Sequence, residues 1–184
     1  MDNNKAKSAY QRVMDREYAC ALAYDKLSTA AYVVNALGLK RKLLKLSEKS
    51  MCNYKHLKHY GISIHEVGIV PNMKYVDALL MKVDEINVSP LSISADTFVE
   101  KVKKIMLTMK EWEKETLKIL GEACKDLQLD HAFDYTMMTK MACKHTKAIK
   151  WLNKLESKYD KYQWDSCFIM ENEQQVHDKI QRKK

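Results

Sequence analysis

The chain has 184 residues, enough for one domain whose core needs no disulfide or metal staple. Only four Gly and two Pro stand against 46% hydrophobic residues, which excludes a low-complexity disordered chain and favours long helices. A formal charge of +8, from 32 Lys and Arg against 24 Asp and Glu, permits acidic partners or nucleic acid without requiring either.

In chain order, the first helix is predicted from Ser8 to about Leu37. Its core face runs through Tyr10, Met14, Ala21, Tyr24, Ser28, Ala31 and Tyr32 at steps of mostly three or four. Gly38 is expected to break it, and a second helix follows from Leu39 to Tyr60 with Leu43, Leu46, Asn53, His56 and Leu57 on one face. Gly61 is its expected stop signal.

Residues 61–95 fit no helical period as a whole. They carry Gly61, Gly68, Pro71 and Pro90, with a short helix expected over 73–84. A connection this long is rare unless the helices it joins run parallel, so that the link must travel their full length.

The third long helix is expected to begin near Ser94 or Asp96, where Thr97–Glu100 has capping-box form. It continues through Val102, Ile105, Met109, Trp112, Thr116, Ile119 and Ala123. Asp130 is the expected cap of a fourth helix, His131 to about Tyr159, with Phe133, Met138, Met141, His145, Ile149, Leu152 and Leu155 at core spacing. Asp165 or Ser166 starts a short fifth helix before a basic tail.

The fold class read from this pattern is all-α: a four-helix bundle with one long crossover between helices two and three, over residues 1–162. A short C-terminal helix and tail occupy 163–184. Cys20, Cys52, Cys124, Cys143 and Cys167 form no CxxC pair, so free thiols in a reducing compartment are expected. No segment approaches the roughly eighteen apolar residues of a membrane span. The opening MDNNKAKSAYQ has no apolar run, so no secretory signal and no membrane are expected, with the cytoplasm as location.

Three stretches in this order resemble eukaryotic ferritin subunits over residues 10–158. YACALAYDKLSTAAY (18–32) is similar to their tyrosine-rich opening helix. LLKLSEKSMCNYKHLKHY (43–60) resembles their segment ending in S-E-E-E-R-E-H-A, and KHTKAIKWL (144–152) looks like E-Q-V-K-A-I-K-E-L. The resemblance implies the ferritin-like fold, a twenty-four-subunit shell, and an iron-oxidising centre inside the bundle.

Carried over by that resemblance, the family's first ligand, a Glu of helix one, falls on Ala19 and its nearby Tyr on Lys26. The bridging Glu of helix two falls on Asn53, while the His after it is kept as His56. The Glu of helix three falls on Met109, or on Lys110 one residue along. The Gln of helix four falls on His145, or on Lys144; Met109 and His145 continue the apolar seams.

On this register the interior lacks the carboxylates that two iron ions need as hard oxygen ligands and as counter-charge. Asn53 offers a neutral oxygen, and with His56 or His145 it suffices at most for one weakly held ion. The bland reading is a polar Asn53–His56 pair. His59 extends it by three residues, whereas His65, His131 and His177 show no coordination spacing. Met137, Met138 and Met141 read as adaptable core packing.

The family's mineral-nucleating patch is reduced to Glu48 between Lys45 and Lys49. Its acidic access channel keeps only Asp134, and the basic tail replaces an apolar closing helix. The sequence therefore points to a non-enzymatic structural or assembly protein with no resident cofactor, metal or catalytic residue. Its expected partners are itself, ferritin subunits or a larger assembly. An inert subunit of a mixed iron-storage shell is the alternative. The lysines of helix four, Lys140 to Lys161, keep a nucleic-acid-binding bundle as a third reading.

Overall fold

In the computed structural model, residues 3–65, 71–86, 94–127 and 132–182 are described. They form helices α1 (Asn3–Val33), α2 (Leu37–His65), α3 (Met73–Asp84), α4 (Ala95–Leu127), α5 (Ala132–Lys161) and α6 (Ser166–Gln181), with no strand among them. No helix among the described residues is long and apolar enough to cross a membrane.

The turn between α1 and α2 is not made by Gly38. Asn35 takes the left-handed conformation at φ 59°, and Ala36 N–H donates to Ala31 O at 2.8 Å to close the end of α1. Gly38 instead lies in the first turn of α2, where a Cβ would fall 2.6 Å from Glu173 Oε2 of α6. That carboxylate accepts from the backbone N–H of Leu39 at 2.5 Å and from the Tyr159 hydroxyl at 2.6 Å. It satisfies an orphan amide at the start of α2 from another helix, so glycine at position 38 is what lets α6 dock. Gly61 does not end α2 either; the helix runs on to His65.

Short helix α3 falls where the period placed it. Asn72 N–H donates to Asp15 at 3.2 Å, Tyr75 meets Arg16, and Asp84 pairs with Lys26 at 2.6 Å. Helix α3 thus runs alongside α1 in the same direction. From there α4 returns antiparallel to α1, joining Tyr24 to Glu113 and Arg12 to Asp126. Helix α5 runs antiparallel to α4, with Lys110 paired to Glu156 at 2.7 Å. Helices α2 and α4 are therefore parallel, the condition that a long crossover satisfies.

Ser94 starts α4, its hydroxyl accepting from Thr97 N–H at 3.2 Å; the Thr97–Glu100 box lies inside the helix. Asp165 caps α6 by accepting from Phe168 N–H at 2.7 Å. The expected Asp130 cap lies outside the described residues. Two aromatic residues read as core, Tyr32 and Phe133, are each more than half exposed, and His56 is exposed as well.

Two apolar clusters fill the interior. One joins Tyr24, Leu27, Leu43, Val76, Ile105, Trp112, Leu152 and Ile169; the other joins Tyr10, Met14, Leu57, Leu120, Met138 and Met141. Between them lies a layer of buried polar side chains: Arg16, Glu17, Asn53, Glu113, Thr116 and His145. An apolar core interrupted at mid-height by charged groups costs desolvation unless each charge is paired, which directs attention to this layer.

Candidate functional site: a buried Glu–His–Glu cluster

Four helices each supply one member of the layer. Glu17 comes from α1, Asn53 from α2, Glu113 from α4 and His145 from α5. Glu17 and Glu113 are fully buried and His145 nearly so. The expectation of an interior without carboxylates is therefore corrected. The cause is helical register. Glu17 fills the gap of seven between Met14 and Ala21 in the seam of α1, and Glu113 lies four residues after Met109 and three before Thr116 in α4.

His145 stands between the two acids. Its Nδ1 lies 2.8 Å from Glu113 Oε2 and its Nε2 3.0 Å from Glu17 Oε1. Burial alone would discourage protonation of the ring, but two hydrogen bonds and two negative charges outweigh it and hold the pKa at about 10. His145 is thus an imidazolium donating from both nitrogens.

Tyr24 donates from its hydroxyl to Glu113 Oε1, and burial together with that carboxylate pushes its pKa well up, so it stays a donor. Asn53 Nδ2 donates to Glu17 Oε1 at 3.0 Å, while its Oδ1 accepts from Lys144 Nζ at 3.3 Å. The expected Asn53–His56 pair is replaced by Asn53–Glu17, and His56 is exposed. Glu17 Oε2 is the one carboxylate oxygen of the cluster without a protein hydrogen bond.

A second buried cation flanks the cluster. Arg16 donates from Nε to Thr116 Oγ1 at 2.9 Å, from Nη2 to Trp112 O at 2.8 Å and from Nη1 to the Tyr75 hydroxyl at 2.5 Å. Glu115 lies 3.0 Å from the same guanidinium. The two buried carboxylates are thus matched by two buried cations, His145 and Arg16. Cys20, beside Thr116, is a thiol whose pKa burial raises to about 12, which makes it inert as a nucleophile.

Of the other positions singled out, Ala19 and Met109 are buried among apolar neighbours. Lys26 reaches the surface to Asp84, and Lys110 to Glu156. His145 rather than Lys144 faces inward. His59 is exposed, Asp134 is buried, and Met138 and Met141 are core residues while Met137 is half-buried. His131 and the His65 side chain lie outside the described residues. Lys42 has its pKa lowered, by burial and then by Lys49 and Lys45, so positive charge crowds the surface of α2 around Glu48.

The donor set does not fit an iron pair. Two carboxylates and one imidazole are too few for two ions, Asn53 is neutral where a bridging acid would be needed, and three of the four carboxylate oxygens already accept from His145, Tyr24 or Asn53. No group of three or more His, Cys, Asp or Glu among the described residues is arranged to hold a metal ion.

No protein-family model matches the chain, and no curated protein matches it.

Proposed function

We propose that this chain is a divergent ferritin-like four-helix bundle that is catalytically silent and serves, through its surface, as a structural or assembly protein. The element order and the parallel α2 and α4 support the architecture. The resemblance also gains residues when its register is moved. Carried two residues back in α1, the family's Glu and Tyr meet Glu17 and Tyr24 rather than Ala19 and Lys26. Carried four residues along α4, its Glu meets Glu113. Asn53 still stands for the bridging carboxylate and His145 for the glutamine.

The observation that carries the silent reading is His145 bound by Glu17 on one side and Glu113 on the other. An internal cation occupies the charge role that iron would take, and Asn53, in place of the family's bridging Glu, leaves no ligand there able to bridge two ions.

The test combines oxygen uptake after ferrous iron is added to the purified protein with sedimentation of the same sample. Oxidation no faster than in buffer, by a particle larger than the 21.5 kDa chain, is the expected result. Saturable oxygen consumption at two irons per chain overturns the silent reading. A twenty-four-subunit particle that fills with iron only alongside conventional ferritin subunits supports the inert shell member instead.

A further inference from the structure

We propose that the cleft between α2 and α5 binds a small amphiphilic anion: a carboxylate or phosphate head carrying an apolar body. The cleft encloses about 510 Å³, within the range of roughly 300–1,000 Å³ typical of small-molecule sites. It exists because α2 packs closely on α1 and α5 on α4, while α2 and α5 meet chiefly through long side chains. Lys144 reaches Asn53 at 3.3 Å, and further along Lys42 Nζ lies 4.7 Å from the centre of the Trp151 ring.

The chemistry of the cleft changes along α5. Lys140 and Lys144 line the stretch nearer Asn53, with His56 on α2, and among the described residues no Asp or Glu lines the cleft. Lys140 and Lys144 are one helical turn apart, so their like charges repel across a gap that an anion would fill. Residues 135–155 of α5 contain no acid; Asp134, beside Phe133, is buried near Tyr10, and Glu156 pairs with Lys110. Glu17, behind Asn53, is buried and turned toward Asn53 and His145.

Toward the start of α5 the lining is apolar, with Phe133 and Met137, and Met141 continues it between the lysines. Phe133 leaves much of its ring open although it is anchored against Tyr60, with centroids 5.3 Å apart. A ring held in place yet exposed, roughly two to three helical turns before a pair of cations on the same helix, matches a ligand with one charged end and one greasy end. This site is separate from the Glu–His–Glu cluster and does not depend on the protein being ferritin-like.

The experiment is calorimetric titration of the full chain with decanoate, decyl phosphate, inorganic phosphate and 1-decanol. One decanoate or decyl phosphate is expected per chain, at least about tenfold tighter than phosphate or decanol, because head and tail each contribute contacts. The preferred head separates a carboxylate ligand from a phosphate one. Affinity is expected to fall with added salt, since the lysines are exposed and screened. The surface double variant Lys140→Glu with Lys144→Glu is expected to weaken decanoate about tenfold or more, and Phe133→Ser to weaken it while leaving phosphate unchanged. Equal affinity for phosphate or decanol, several amphiphiles per chain, no binding of either amphiphile, or an unaltered double variant of native helicity overturns the proposal.

Discussion

His145 Nε2 lies 3.0 Å from Glu17 Oε1, a contact between residues 128 apart in the chain that ties α5 to α1 across the centre of the molecule. With Glu113 on its other nitrogen, the ring is the cation on which two fully buried carboxylates depend. Replacing His145 with Gln removes the cation between them and leaves two buried carboxylates with only Arg16 as a buried counter-charge in the layer. The expected loss is about 3–5 kcal/mol of unfolding free energy at neutral pH, read from urea denaturation.

The same residue sets a pH dependence. Its folded pKa of about 10 lies above the ordinary 6.5, so the protonated ring is favoured by folding. The stabilisation is complete below pH 6.5 and is lost as pH rises through 10. Denaturant midpoints of the native chain are therefore expected to fall across that window, and those of His145→Gln to fall much less.

Tyr24→Phe removes the hydroxyl that donates to Glu113 and leaves a buried carboxylate oxygen unsatisfied. A loss of about 1–3 kcal/mol is expected by the same denaturation measurement.

Gly38→Ala and Gly121→Ala are expected to have opposite signs. At Gly121 a Cβ meets nothing within 4 Å, and alanine in that exposed helical position is expected to stabilise by roughly 0.4–1 kcal/mol. At Gly38 the added carbon collides with the Glu173 carboxylate, which Leu39 and Tyr159 hold in place. Thermal denaturation is expected to show Gly38→Ala destabilised, and hydrogen exchange to show α6 opening first.

Arg16→Lys keeps the charge but not the planar fork that serves Thr116, Trp112 and Tyr75 together. Helix α3 depends on that fork through Tyr75. Amide exchange in α3 is expected to quicken about tenfold or more, while exchange at the centre of α5 changes little.

Much of this fold is legible from spacing. The 73–84 helix, the Asp165 cap and the apolar faces of the long helices follow from period and capping chemistry, because local rules decide them. Helix ends marked by glycine are not legible in that way. Gly38 is present for a Cβ-free approach by Glu173, a contact 135 residues away in sequence, while Asn35 makes the turn.

The polar layer is legible only in part. His145 and Asn53 sit on apolar seams and read as inward. Glu17 and Glu113 are passed over in the sequence, because acids normally face water. The signal that could have placed them is the vacant step between Met14 and Ala21, with Tyr24 one heptad beyond Glu17. What the sequence conceals is that a histidine from a distant helix is shared by both acids, with Arg16 as a second buried cation in the same layer.

The most direct test is a pH titration of the protein labelled with ¹⁵N in histidine, following the ring nitrogens of His145 by NMR and assigning them by their loss in His145→Gln. The account requires both nitrogens to stay protonated up to about pH 10. A His145 ring that gives up a proton near its ordinary 6.5, and is neutral at pH 8, contradicts it.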